Sequence, residues 1–134
     1  MHALRSQVRD QGAGDVRRPD GGLRSLLRER LQRLGFHFVS IETPGTGSGV
    51  PDANVCRDGV ESWIECKYTT GRSVKLRPEQ ISWLLARERR GGRTFVVVRR
   101  RVLAGARRTA ADELHVVRGR YARPLRDLGL VGSV

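Results

Sequence analysis

The sequence predicts an α/β fold, a single mixed β-sheet with helices packed on it. Leucine-rich or amphipathic stretches at helical spacing occur twice, at 23–34 and 78–90. Between them lie two strand-like runs joined by Asp58-Gly59, a strong two-residue hairpin pair. A β-branched run, "TFVVV", follows the second helix. Alternating helices and strands of this kind call for one layered sheet. A length of 134 residues favours one domain, assigned to 23–134, with 1–22 as a flexible basic N-terminal arm.

The elements follow in order. Residues 1–22 are rich in Gly, Arg and Asp and lack apolar periodicity, hence the arm. In 23–34, leucines at 23, 26, 27, 31 and 34 share one helical face, and arginines 24, 28, 30 and 33 take the other. Gly35 stops this helix. "FHFVSIE" reads as a strand over 36–42, with His37 a structural or partly exposed histidine. "TPGTGSGVP" is a loop whose alternate glycines allow close backbone approach. It lacks the Lys-Ser/Thr of a phosphate-binding P-loop. The hairpin and the polar loop "TTGRSVKLR" come next, then a helix from Pro78 to about Arg90, stopped by Gly91-Gly92. Strands are expected at 94–100 and 113–117, with a loop at 104–111 and a short terminal helix in "YARPLRDLGLV".

A net charge of +12 points to polyanion partners. A high-GC genome also enriches arginine, so charge alone leaves that open. Cys56 and Cys66 have no metal-ligand spacing and are expected as free thiols in a reducing compartment. No apolar run has membrane-spanning length, so a cytoplasmic protein is expected, of a bacterial or phage-infected cell.

Chemistry concentrates in the hairpin. A two-residue loop pairs Arg57 with Val60, and that register carries Asp52 opposite Glu65. Lys67, two residues on, shares their side of the sheet with Trp63 and Glu61, whereas Ile64, Cys66 and Tyr68 point the other way. Facing carboxylates repel unless they share a proton or a cation. Of the 26 basic residues only Lys67 and Lys75 are lysines, so an ammonium beside the acid pair suggests a requirement of site chemistry. A solvated Glu65–Lys67 surface pair is the plain alternative.

Pro51-Asp52 followed by Glu65-Cys66-Lys67 resembles the motif of the PD-(D/E)xK nuclease superfamily. The leading helix ending "RLGF", the glycine-rich approach and a second helix carrying Gln make it most similar to archaeal-type Holliday junction resolvases and VRR-NUC domains, over residues 23–118. The resemblance implies a restriction-endonuclease-like core in αβββαβ order. It implies that Asp52 and Glu65 bind Mg²⁺ or Mn²⁺, that Lys67 positions or activates the attacking water, and that Gln80 supports the site. Glu29 matches an additional helix acid, with pairing to Arg33 as its ordinary alternative, and Glu42 competes for that role. Arginines 24, 28, 72, 77, 99 and 100 are candidate phosphate contacts. The implied activity is metal-dependent hydrolysis of DNA phosphodiesters, leaving 5′-phosphate and 3′-hydroxyl ends, by a structure-selective endonuclease of branched DNA that would act as a homodimer. The alternatives are a less selective VRR-NUC-type nicking or repair nuclease, and a non-catalytic DNA-binding protein on the same fold.

Overall fold

A computed structural model of the chain describes residues 3–7, 20–41, 49–106 and 108–130. Six strands form one sheet: β1 (Ala3–Gln7), β2 (His37–Ser40), β3 (Ala53–Arg57), β4 (Val60–Thr69), β5 (Thr94–Gly105) and β6 (Arg108–Arg118), in the order β1-β6-β5-β4-β3-β2. Helices α1 (Leu23–Arg33), α2 (Pro78–Arg89) and α3 (Ala122–Leu128) pack on it. Neighbouring strands run antiparallel except β4 and β5, whose parallel pairing is bridged by α2. The α/β architecture with a mixed sheet and the αβββαβ core is thus present, with β1, β6 and α3 added around it.

The sheet is apolar on both sides, which two helical layers require. On one side Leu23, Leu26 and Leu27 of α1 meet Phe38, Ala53, Val55, Ile64, Cys66 and Val97. On the other, Ile81 and Leu84 of α2 and Leu125 of α3 cover Val96, Val98 and Val117. Strand β4 lies between both layers and feeds alternate side chains into each. Leu34, the last leucine of the expected α1 face, is 59% exposed, because the helix ends at Arg33 and turns away through Gly35 at φ +87°.

Three expectations require correction. Residues 3–7 of the expected arm are strand β1, paired antiparallel with β6 from Ala3↔Val117 to Gln7↔Glu113. The β6 edge would otherwise expose a row of unpaired amides and carbonyls, and β1 covers it. The expected loop at 104–111 is the tip of a long β5–β6 hairpin, paired as far as Gly105↔Arg108 with register irregularities near Leu103. Glycine and arginine at this tip mask its strand character locally, and cross-strand pairing overrides the weak propensity. Third, the reading of Arg99 as a phosphate contact fails. Arg99 is fully buried, donating from Nε and Nη2 to the Asp112 carboxylate at 3.0 and 2.8 Å and from Nη1 to the Gly21 carbonyl at 2.9 Å. Arg100 is held by Glu113 at 2.9 Å and by the Gly71 carbonyl at 3.0 Å.

The remaining elements lie close to their expected bounds, including α3 within the expected terminal helix. Cys56 and Cys66 are free thiols. Among the described residues no helix is long and apolar enough to cross a membrane.

Candidate active site

The Asp58-Gly59 turn puts both residues at positive φ, +51° and +77°, the conformation of a tight two-residue hairpin turn. The register then runs Arg57↔Val60, Cys56↔Glu61, Val55↔Ser62, Asn54↔Trp63 and Ala53↔Ile64. One step further, where β3 begins, Asp52 meets Glu65. The Asp52 carbonyl accepts from the Ile41 amide at 2.8 Å, and its carboxylate accepts from the Cys66 amide at 2.8 Å. This bond aims the Asp52 carboxylate across the strand at the place where Glu65 emerges.

Glu65 is 3% exposed, a depth at which an ionised carboxylate is rarely left unpaired. Burial, the neighbouring Asp52 charge and a hydrogen bond shared with Asp52 push its pKa from 4.5 up to about 8. The charges of Lys67 and Arg77 oppose that rise. Glu65 Oε1 accepts from Gln80 Nε2 at 3.2 Å, whereas Oε2 is buried with no donor. Lys67 Nζ stands 3.9 Å from Glu65 Oε1 and donates to Gln80 Oε1 at 2.9 Å. The same Gln80 oxygen accepts from the Arg77 amide at 3.0 Å, closing the first turn of α2. One amide side chain therefore ties together the acid, the lysine and the helix that supplies it.

These groups line an open cavity of about 570 Å³. Asp52, Glu65, Lys67 and Gln80 form one wall, and Asp20, Arg24, Ser73 and Lys75 contribute to the rest of its lining. Gly49 brings the approach loop against the start of α2, at φ +84°, where any side chain would strike the Glu79 carbonyl. That contact explains a glycine here, because the loop must pass under the helix to deliver Pro51 and Asp52.

The donor chemistry fits a hard divalent cation. Two carboxylates converge, one buried oxygen lacks a donor, and the proton that Glu65 otherwise retains marks a place where positive charge is wanted. Asp52 and Glu65 are the protein groups that would hold it. They are two ligands, and among the described residues no cluster of three or more His, Cys, Asp or Glu side chains suits a metal. Mg²⁺ tolerates such a set, since it usually keeps water and substrate oxygens as its other ligands.

Residues 8–121 match the family described as Hjc, archaeal Holliday junction resolvase. The chain belongs to this family. Among solved structures, Archaeoglobus fulgidus Hjc, described as a Holliday junction resolvase from an archaeal hyperthermophile, is similar at 18% identity over 81% of this chain and 91% of that chain, with a TM-score of 0.44. No curated protein sequence matches the chain.

Of the residues expected at the site, Asp52, Glu65, Lys67 and Gln80 come together and Glu29 does not. Glu29 lies on the exposed face of α1, 2.7 Å from Arg33 in an i,i+4 pair. Glu42 lies outside the described residues. Of the other candidate phosphate contacts, Arg24 lines the cavity. Arg77 is exposed beside Glu79 at 3.4 Å, Arg28 donates to Ser40 and packs on Phe38, and Arg72 donates to the Leu130 carbonyl. Sequence reasoning missed Asp20 and Lys75. Asp20 accepts from the Gly22 and Arg24 amides, each at 3.0 Å, and so fixes the start of α1 beside the cavity. Its position just before the leucine run is a recognisable helix-start signal. Lys75 carried a signal too, as the second of the two lysines.

Proposed function

We propose that this resolvase-family chain is a divalent-metal-dependent endonuclease that hydrolyses phosphodiesters in branched DNA. The observation that carries the reading is the meeting of the Asp52 and Glu65 carboxyls beside Lys67, with Gln80 bridging Glu65 to Lys67. Such a group is costly to assemble for stability alone. It lies on the wall of a cavity open to a polymer.

Asp52 and Glu65 would hold a divalent cation, which would supply Lewis-acid charge to ease deprotonation of water and offset charge developing at phosphorus. The protein supplies the rest. Lys67 donates one of its three protons to Gln80 and keeps two donors to orient water or a non-bridging phosphate oxygen. Gln80 holds both Lys67 and Glu65, so the lysine cannot swing to solvent. Arg24 and Lys75, on the same cavity, neutralise phosphates flanking the one that is cut. Family membership supports branched DNA as the substrate, and two symmetric cuts would call for a homodimer as the acting form.

The test uses purified protein with a synthetic four-way junction, a linear duplex of matched sequence and supercoiled plasmid, each with Mg²⁺, Mn²⁺ or chelator. Paired cuts near the crossover, dependent on metal and lost in Asp52→Asn and Lys67→Ala with binding retained, are expected. Equal cutting of duplex and junction would remove the structure selectivity. Tight binding without cleavage under any metal would leave a DNA-binding protein on a nuclease fold.

A further inference from the structure

We infer that the C-terminal end of α2 carries a second DNA contact, a phosphate site built on an arginine packed over two tryptophans, which grips a duplex arm away from the cut. The inference rests on the nuclease reading for the identity of its ligand, duplex DNA.

Trp63 on β4 and Trp83 on α2 meet edge to face, with ring centroids 5.2 Å apart. Arg87 lies over both, its guanidinium carbon 5.4 Å from the Trp63 ring centre and 4.7 Å from that of Trp83. Beneath its stem is Gly92, where any side chain would collide with Cγ and Cδ of Arg87. The arginine is therefore held in place by packing.

Most guanidiniums with described geometry in this protein are paired with carboxylates or held by carbonyls. Arg87 has no carboxylate within ion-pair distance among the described residues. The adjacent acid, Glu88, is turned inward to Thr94 and Arg118. Arg90, beside it, spends Nη1 on the Ala86 carbonyl and likewise lacks an acid. Arg87 and Arg90 are both exposed and line one open cavity of about 570 Å³ with Trp83. An exposed, immobilised and unneutralised guanidinium suits a phosphate, because little side-chain freedom remains to be lost on binding and the fork can donate two bonds.

Placement favours DNA over a free anion. Trp63 precedes Glu65 by two residues on the same face of β4, and Arg87 follows Gln80 by seven residues along α2. At a rise of 1.5 Å per residue the arginine is about 10 Å along the helix from the active-site glutamine. That is about three base-pair steps at 3.4 Å each. A duplex arm entering the cavity at Lys67 can therefore reach both places.

Trp63 and Trp83 are the only two tryptophans of the chain, so intrinsic indole emission reports on this patch alone. The full chain is titrated with a short linear duplex in chelator, where no cutting occurs. A saturable change in emission that follows binding measured by anisotropy of labelled DNA is expected. The double variant Arg87→Met, Arg90→Gln keeps the packing stem over the rings and removes both charges. Its slope of log affinity against log salt should fall by nearly 2 from wild type, about 0.9 per phosphate contact. Matching thermal melts exclude misfolding.

Binding without any emission change, or an unaltered salt slope in the variant, would overturn the inference. Emission that shifts with protein concentration in the absence of DNA would overturn it in favour of self-association. If wild type fails to cut junctions while the variant loses slope, only the nuclease reading falls. If wild type cuts and the slope is unchanged, only this contact does.

Discussion

Gln80 accepts hydrogen bonds from Lys67 and from the amide of Arg77, the residue that caps α2, while donating to Glu65, so its removal should loosen the site without emptying it. As a positioning residue it should act on the metal requirement more than on DNA affinity. Gln80→Leu is expected to raise the Mg²⁺ concentration for half-maximal cleavage by about 10–100-fold, the usual range for groups that orient ligands. A metal titration of cleavage unchanged from wild type would remove Gln80 from the site.

Glu65 makes a separate prediction through pH. Its folded-state pKa of about 8 lies above the ordinary 4.5. Below 4.5 both folded and unfolded chains hold the proton, and nothing is lost. Between those values the unfolded chain releases it and the folded chain keeps it, so metal-free stability declines as pH rises and levels off above about 8. Melting temperatures in chelator should show that decline in wild type and a flatter profile in Glu65→Gln. Parallel profiles would mean that Glu65 is not the titrating group. The pairing behind this prediction is legible in sequence because a two-residue turn leaves one register. The place of Glu29 is not. Leucines at 23, 26 and 27 face the sheet, and the rotation they impose turns Glu29 to solvent beside Arg33.

At the level of elements, the β5–β6 hairpin holds charge where apolar residues would serve a simple core. Arg99 and Arg101 are buried to 0% exposure on the α1 side, sharing the 5%-exposed Asp112. Removing one member of such a group leaves charge uncompensated in a poorly solvated place. Asp112→Ala is therefore expected to destabilise the fold by about 3–5 kcal/mol, read from urea unfolding midpoints at constant slope. A loss below about 1 kcal/mol would mean that other groups already neutralise the arginines. "RRR" after "VVV" looks like a strand running out into a basic surface, and only pairing with 108–118 supplies the buried carboxylate. The α1, β3–β4 and α2 segments are legible because their signals are local, namely leucine spacing, an Asp-Gly turn and a proline start. The hairpin tip and β1 depend on partners more than a hundred residues away in the case of β1, and local propensity carries no trace of them.

For the whole molecule, the net charge of +12 overstates what DNA can use. Arg33, Arg57, Arg77, Arg118, Arg120 and Arg126 have carboxylates within 4.0 Å, and Arg99, Arg100 and Arg101 are committed to the sheet. Counterion release counts phosphates contacted, not formal charge. If Arg24, Lys75, Arg87 and Arg90 are joined by a few residues of the amino-terminal segment, about five to eight contacts result. The slope of log affinity against log salt on linear duplex in chelator should then lie between about −4 and −7. A slope near −10 would require the paired arginines to exchange their carboxylates for phosphates, which would appear as a loss of slope of about 0.9 each in Arg33→Gln or Arg118→Gln variants. A slope shallower than about −2 would mean that the basic composition serves solubility or genome bias and that DNA touches only the cavity. Saturating single-turnover cleavage separates the two functions of the surface. With protein in excess its rate should respond to Asp52 and Lys67 but stay nearly constant in the Arg87→Met, Arg90→Gln variant, since those arginines hold the DNA arm and do not reach the phosphate being cut.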